Sequence, residues 1–132
     1  MKNITMSFTV TGWEAETYDD STPSPTLSEV TVKKTFDGEM KGNSVGKLLM
    51  CSSLDDSAGY TIMDRFFVEI EGRKGSFVII HGGMTDEMLA KGKIVPGSGT
   101  DELEGIRGTI EFKSDENGKT IILDYELPNK EI

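Results

Sequence analysis

A helical period is nearly absent from this chain. In "ITMSFTVTGW", Ile4, Met6, Phe8 and Val10 alternate with Thr5, Ser7, Thr9 and Thr11. A two-residue period sends every second side chain to the same face, so this segment reads as a strand with one buried face. The same period returns along most of the sequence, and no run of 3.6-residue spacing is long enough for a core helix. The fold class that follows is all-β.

Turn chemistry divides the remainder. "EAETYDDSTPSPTL" (14–27) carries two prolines among small polar residues and reads as a loop, long enough to act as a lid. A second strand begins near Glu29. "EVTVKKTFDGEM" and "NSVGKLLMCSSL" read as strands two and three, with a turn or bulge signal at Asp37-Gly38 and the pair turning near Gly42-Asn43. After a turn at "DDSAG" come two strongly apolar strands, "YTIMDRFFVEIEG" and "GSFVIIHGG", joined through "GRKG". "MLAKGKIVP" follows a helix-cap signal at Thr85-Asp86-Glu87, but Gly92, Ile94, Val95 and Pro96 favour a strand. "IRGTIEFKS" and "TIILDYEL" close the chain as a hairpin whose Asn117-Gly118 pair suits a type I′ turn. Eight short strands in sequence predict an antiparallel meander, and closure into an up-and-down barrel would remove the exposed edges. At 132 residues the whole chain, 1–132, is expected to form one domain.

Between the sixth and seventh strands lies "VPGSGTDELEGIRGTIEF", a glycine-rich stretch with the look of a phosphate loop. No lysine follows the glycines and no helix follows the stretch, so neither the P-loop nor the dinucleotide fingerprint is present. It reads instead as a corner. Gly97 and Gly99 permit a reversal, Thr100 caps one helical turn over Asp101, Glu102 and Leu103, and Gly105 ends it, with Leu103 and Ile106 plugging the barrel end.

With "FTVTGW", "TFDGEMKGNS", "GRKGSFVIIHGG" and "LDYEL", this corner resembles a family of small bacterial proteins known only as a domain of unknown function, of the allene oxide cyclase-like barrel type. The resemblance implies the barrel fold. Plant allene oxide cyclases hold an oxylipin in the barrel and use a first-strand glutamate; this chain has only hydroxyl residues as the polar groups of that strand, which departs from the cyclase pattern.

Charge limits the partners. Fourteen Lys and Arg against 23 Asp and Glu give a net charge of −9, which repels nucleic acid and anionic membranes. The single Cys51 excludes an intrachain disulfide, and the N-terminal segment lacks the apolar run of a signal peptide, so a cytoplasmic location is expected. One His and one Cys are too few for a zinc site of the usual type, and no cofactor is implied. The acid clusters Asp19-Asp20, Asp55-Asp56 and Asp115-Glu116 read as solvated turns, without calcium-loop spacing.

The candidate site residues are few. His81, the only histidine, shares a strand face with Phe77 and Ile79 and is the leading acid-base candidate; Glu102 in the corner is the other. His81, Arg65, Trp13, Tyr60 and Tyr125 are the candidate ligand-binding residues, and Trp13, Tyr18 and Tyr60 suit a barrel mouth. Cys51 reads as a buried, inert thiol. Asp64 and Arg65 must point to opposite faces, so one of them lies inside and needs a partner: Arg73 or Arg107 for Asp64, or Glu69, Glu102 or Glu111 for Arg65. Strands apolar on both faces predict a homo-oligomer. Three functions remain open: binding of a small, largely apolar molecule in or at the mouth of the barrel, a cyclase or isomerase, or a filled barrel acting through its oligomeric surface.

Overall fold

The computed structural model describes residues 1–55, 58–85, 89–116 and 118–129, with Leu89 described in its backbone alone. Among these residues nine strands run β1 (Lys2–Ser7), β2 (Thr9–Asp19), β3 (Thr26–Asp37), β4 (Met40–Ser52), β5 (Ala58–Ile70), β6 (Arg73–Met84), β7 (Leu89–Ile94), β8 (Arg107–Asp115) and β9 (Gly118–Glu126). They form one antiparallel meander in the order β1-β9-β8-β7-β6-β5-β4-β3-β2. The sheet curls into a half-barrel; the closed eight-stranded barrel expected from the sequence is not formed.

The difference lies at Phe8. The alternating segment at the N-terminus is two strands, not one, because β1 ladders with β9 (Ile4 opposite Leu123) while β2 ladders with β3 (Trp13 opposite Val32). No ladder joins β1 to β2 among the described residues. A chain that changes partner at one residue brings the two ends of the sheet together and curls it without sealing the edge.

The expected loop at 14–27 is largely strand. β2 continues to Asp19 and is exposed on both faces from Trp13 to Tyr18, and β3 starts at Thr26. Backbone ladders need no apolar alternation, so a strand that covers no core leaves no hydrophobic period to read. The β3–β4 turn lies at Gly38-Glu39, and Gly42-Asn43, the turn expected from the sequence, is inside β4 opposite Val68 and Phe67. The β5–β6 turn is likewise shorter than "GRKG": Glu71 (φ 56) and Gly72 (φ 73) make a two-residue turn with both φ positive, the type I′ geometry. "LAKGKI" is a strand, as expected. The cap signal at Asp86-Glu87, Asp56 and Asn117 lie outside the described residues.

The glycine-rich stretch is a corner. Asp101–Leu103 form one 3-10 turn, with Gly97 (φ 81) and Gly105 (φ 86) on either side in the left-handed region that glycine adopts without strain. Thr100 makes no side-chain cap bond. Its hydroxyl instead accepts from the Ser76 amide at 3.0 Å, which fixes the corner onto β6. Leu103 and Ile106 are fully buried, each contributing about 1.5–3 kcal/mol of burial free energy.

The interior has two parts. One end is filled by a cluster that includes Phe36, Phe66, Phe77, Ile79, Leu103, Ile106 and Leu123, with Phe36 stacked on Phe66 at 4.9 Å and Phe66 on Phe77 at 5.1 Å. Toward the other end a smaller cluster of Val30, Val32, Leu48 and Ile62, flanked by Val10, Met50 and Tyr60, lines one wall and leaves space beside it. The convex face is partly apolar as well: Val45, Leu49, Met63, Phe67 and Ile80 are each more than 40% exposed. No helix among the described residues is long and apolar enough to cross a membrane.

Candidate functional site

Strand parity puts Lys34, Asp64 and His81 inside the curl. Lys34 is in phase with the buried Val30, Val32 and Phe36 of β3; Asp64 is in phase with Ile62 and Phe66 of β5; His81 is in phase with Phe77 and Ile79 of β6. All three are buried, at 5%, 0% and 5% exposure. Lys34 Nζ donates to Asp64 Oδ2 at 2.5 Å, and the Ser44 hydroxyl lies 3.4 Å from the same oxygen. Gly46 faces the carboxylate, where a Cβ would come within 2.8 Å of Oδ1, so a residue without a side chain makes the room for Asp64. Burial raises the Asp64 carboxyl above its usual range, against the lowering effects of Lys34 and Ser44.

His81 lies on the same wall. Its ring stacks on Phe112 at 4.1 Å and meets Tyr60 edge-on at 5.7 Å, with Tyr60 Oη 3.5 Å from Nδ1. The Lys34 ammonium is 5.1 Å from the Phe112 ring centre, within cation-π reach. Burial first, and the Lys34 charge second, push the His81 pKa down to about 3, so the ring is neutral at physiological pH. Two buried polar atoms lack a hydrogen-bond partner among the described residues: His81 Nε2 and Asp64 Oδ1.

Lys34, Tyr60, His81 and Phe112 border a cavity of about 300 Å³. Its walls are mostly apolar, from Phe8 and Val10 on one side to Leu48, Ile62 and Phe112 on the other, with Lys34, Tyr60 and His81 as polar points. Trp13 and Met84, both more than half exposed, mark its opening beside Lys113, Ser114 and Lys119. Among the described residues no carboxylate lines it, although the chain as a whole is strongly acidic. A cavity of this size lies at the lower end of the roughly 300–1,000 Å³ of small-molecule sites, and apolar walls with a few polar points are their usual chemistry.

The sequence candidates divide accordingly. Trp13, Tyr60 and His81 come together at the cavity. Arg65 does not: it is exposed on the convex face, and the inward charge is Asp64, whose partner is Lys34 and none of the arginines considered. Arg73 donates to the carbonyls of Glu102 and Pro128 instead. Tyr125 is buried in the filled end, with its hydroxyl donating to Glu71 Oε2 at 2.8 Å. Glu102 is exposed, and its side chain accepts from the Lys74 amide at 3.3 Å outside the cavity. Cys51 is exposed, not buried, and it borders a broader convex-side depression of about 650 Å³ with Tyr18, Leu27 and Leu49. Lys34 was the residue that sequence reasoning missed, and its parity with Val30, Val32 and Phe36 was the signal that could have found it.

A crystal structure of a protein of unknown function from Shewanella oneidensis MR-1 has the same fold, with a TM-score of 0.85 and 29% sequence identity over 98% of this chain and 99% of that one. Its description places it in the DUF3224 family. No curated protein matches the chain. The family model for protein of unknown function (DUF3224) matches residues 4–127, from within β1 to just past the end of β9, and the chain therefore belongs to the DUF3224 family.

Proposed function

We propose that the protein is a binding module that takes a small, largely apolar molecule into the interior cavity. The observation that carries this reading is the interior itself. One end is packed with aromatic and aliphatic side chains, while the other keeps about 300 Å³ of apolar-walled space beside buried polar groups. Apolar walls supply affinity, and Lys34, Tyr60 and His81 orient the ligand's polar end. A relationship to the allene oxide cyclase-like proteins belongs to this reading at the level of fold. Cyclase chemistry of their kind is disfavoured, because the β1–β2 side of the cavity presents Phe8, Val10 and Trp13 rather than an acid.

Trp13 is the only tryptophan and lines the cavity, so its emission is a direct reporter. Titration with the neutral apolar fluorophore N-phenylnaphthylamine should quench Trp13 saturably. Ala90→Phe, which extends a side chain into the cavity, should abolish the quenching while leaving the fold intact by circular dichroism. Equal quenching in both proteins would refute the assignment to the cavity.

A second reading has its own observation. The exposed Val45, Leu49, Met63, Phe67 and Ile80 lie on adjacent strands of the convex face, a patch that self-association would cover. Sedimentation equilibrium of Met63→Glu against the parent protein tests it: an unchanged mass removes the convex face as a self-association surface.

A further inference from the structure

We propose that Lys34 is a covalent site for carbonyl compounds: an aldehyde or ketone held in the cavity condenses with Nζ to an imine, with Asp64 handling the proton. This rests on the cavity reading above and names the chemical class of its ligand.

Lys34 sits in an unusual place for a lysine. Its chain neighbour Lys33 is exposed on the opposite face, as lysines usually are, whereas Lys34 is 5% exposed and lines the wall of an apolar cavity. A buried ion pair is seldom the most stable filling for such a place, because hydrophobic residues of similar volume do as well or better. The pair is also incomplete as a structural device. Lys34 and Ser44 both address Asp64 Oδ2, and Oδ1 has no partner among the described residues. A desolvated lysine amine next to a group that can take its proton is the arrangement that makes lysine a nucleophile toward carbonyls.

The steps balance. The Lys34 ammonium gives a proton across the 2.5 Å contact to Asp64 Oδ2, leaving a neutral amine and a neutral acid. Burial, which raises the Asp64 carboxyl, favours that neutral pair. The amine lone pair attacks the carbonyl carbon, the C=O π pair moves to oxygen, and a proton passes from nitrogen to that oxygen to give a carbinolamine. Asp64 returns its proton to the hydroxyl, the C–O bond breaks, and water leaves. The product is a protonated imine with the charge the ammonium had, and the Asp64 carboxylate is its counter-ion. His81, neutral beside the pair, adds no competing charge.

The test is reductive trapping. The intact protein is incubated with octanal and sodium cyanoborohydride, and the alkylated lysines are located by peptide mass mapping. Lys34 should be labelled faster than the adjacent Lys33 by about tenfold or more, because the cavity holds the aldehyde against it. Lys34→Arg should remove that fast site. Asp64→Asn should slow Lys34 labelling while N-phenylnaphthylamine still binds. Probe binding with Lys34 labelled no faster than Lys33 overturns the inference and leaves the cavity reading standing. Neither probe binding nor Lys34 labelling in the parent protein overturns both.

Discussion

A protein that buries its only histidine in neutral form should lose stability in mild acid by an amount that can be worked out. The His81 pKa is pushed from 6.5 to about 3 in the folded protein, burial being the larger cause and the Lys34 charge the smaller. Between those values the unfolded chain holds a proton on His81 that the folded chain does not, so stability rises with pH through this window and falls as pH drops through it. The contribution is fully present above about 6.5. At pH 5 the unfolded state is favoured by ~2 kcal/mol relative to pH 7.5, a figure that needs only a folded pKa well below 5. Asp64 acts in the opposite sense, since its raised carboxyl favours the folded state as pH falls, and so the comparison must be made against a variant that keeps Asp64. His81→Phe keeps an aromatic ring against Phe112 and removes the titration. Urea unfolding followed by Trp13 fluorescence should show the parent midpoint falling from pH 7.5 to pH 5 by about 1 M more than that of His81→Phe, for a slope of about 2 kcal/mol/M. Equal losses in the two proteins would refute the placement of a neutral histidine in the wall.

Other expectations follow from the buried pair and the corner. Asp64→Ala strands the Lys34 ammonium and should cost about 3–5 kcal/mol in urea unfolding, whereas the double change Lys34→Met/Asp64→Leu should recover most of that loss; a double variant as weak as the single would contradict this account of the pair. Leu103→Ala removes a fully buried plug and should cost about 2–5 kcal/mol, and a loss below about 1 kcal/mol would mean that the corner does not close the filled end. Tyr125→Phe removes only the hydroxyl bond to Glu71 at one end of the sheet, so it should cost about 0.5–1.5 kcal/mol and leave N-phenylnaphthylamine binding unchanged.

The meander was legible because most strands bury one face, and burial writes a two-residue period. Where that cause was absent the sequence misled: β2 beyond Trp13 has ladder bonds but no core to cover, so its polar composition resembled a loop. Closure was misjudged for a related reason. The period of residues 4–10 continues through Phe8, and nothing in a side-chain alternation records that the backbone changes partner there. His81 was found because it was the only histidine and in phase with Phe77 and Ile79. The same parity, applied to "VTVKKTF" and "IMDRFF", assigns Lys34 and Asp64 to the interior and Lys33 and Arg65 to the exterior. The alternation alone left open which of Asp64 and Arg65 faces inward, and the partners considered for Asp64 were arginines, whereas the inward lysine of "VTVKKTF" satisfies the same need for a buried opposite charge. The cavity was beyond reach, since space depends on how the curl sets β2 against β8 and β9, not on any one strand.

A small apolar molecule held in the cavity must be told apart from one held in a surface depression. Backbone and indole amide shifts recorded during titration with N-phenylnaphthylamine separate these sites. Binding in the cavity should give saturable shifts concentrated at Trp13, Tyr60, His81, Ala90 and Ser114, which surround it. Shifts confined to Leu27, Leu49, Cys51 and Thr61 on the convex side, or none at all, would contradict it.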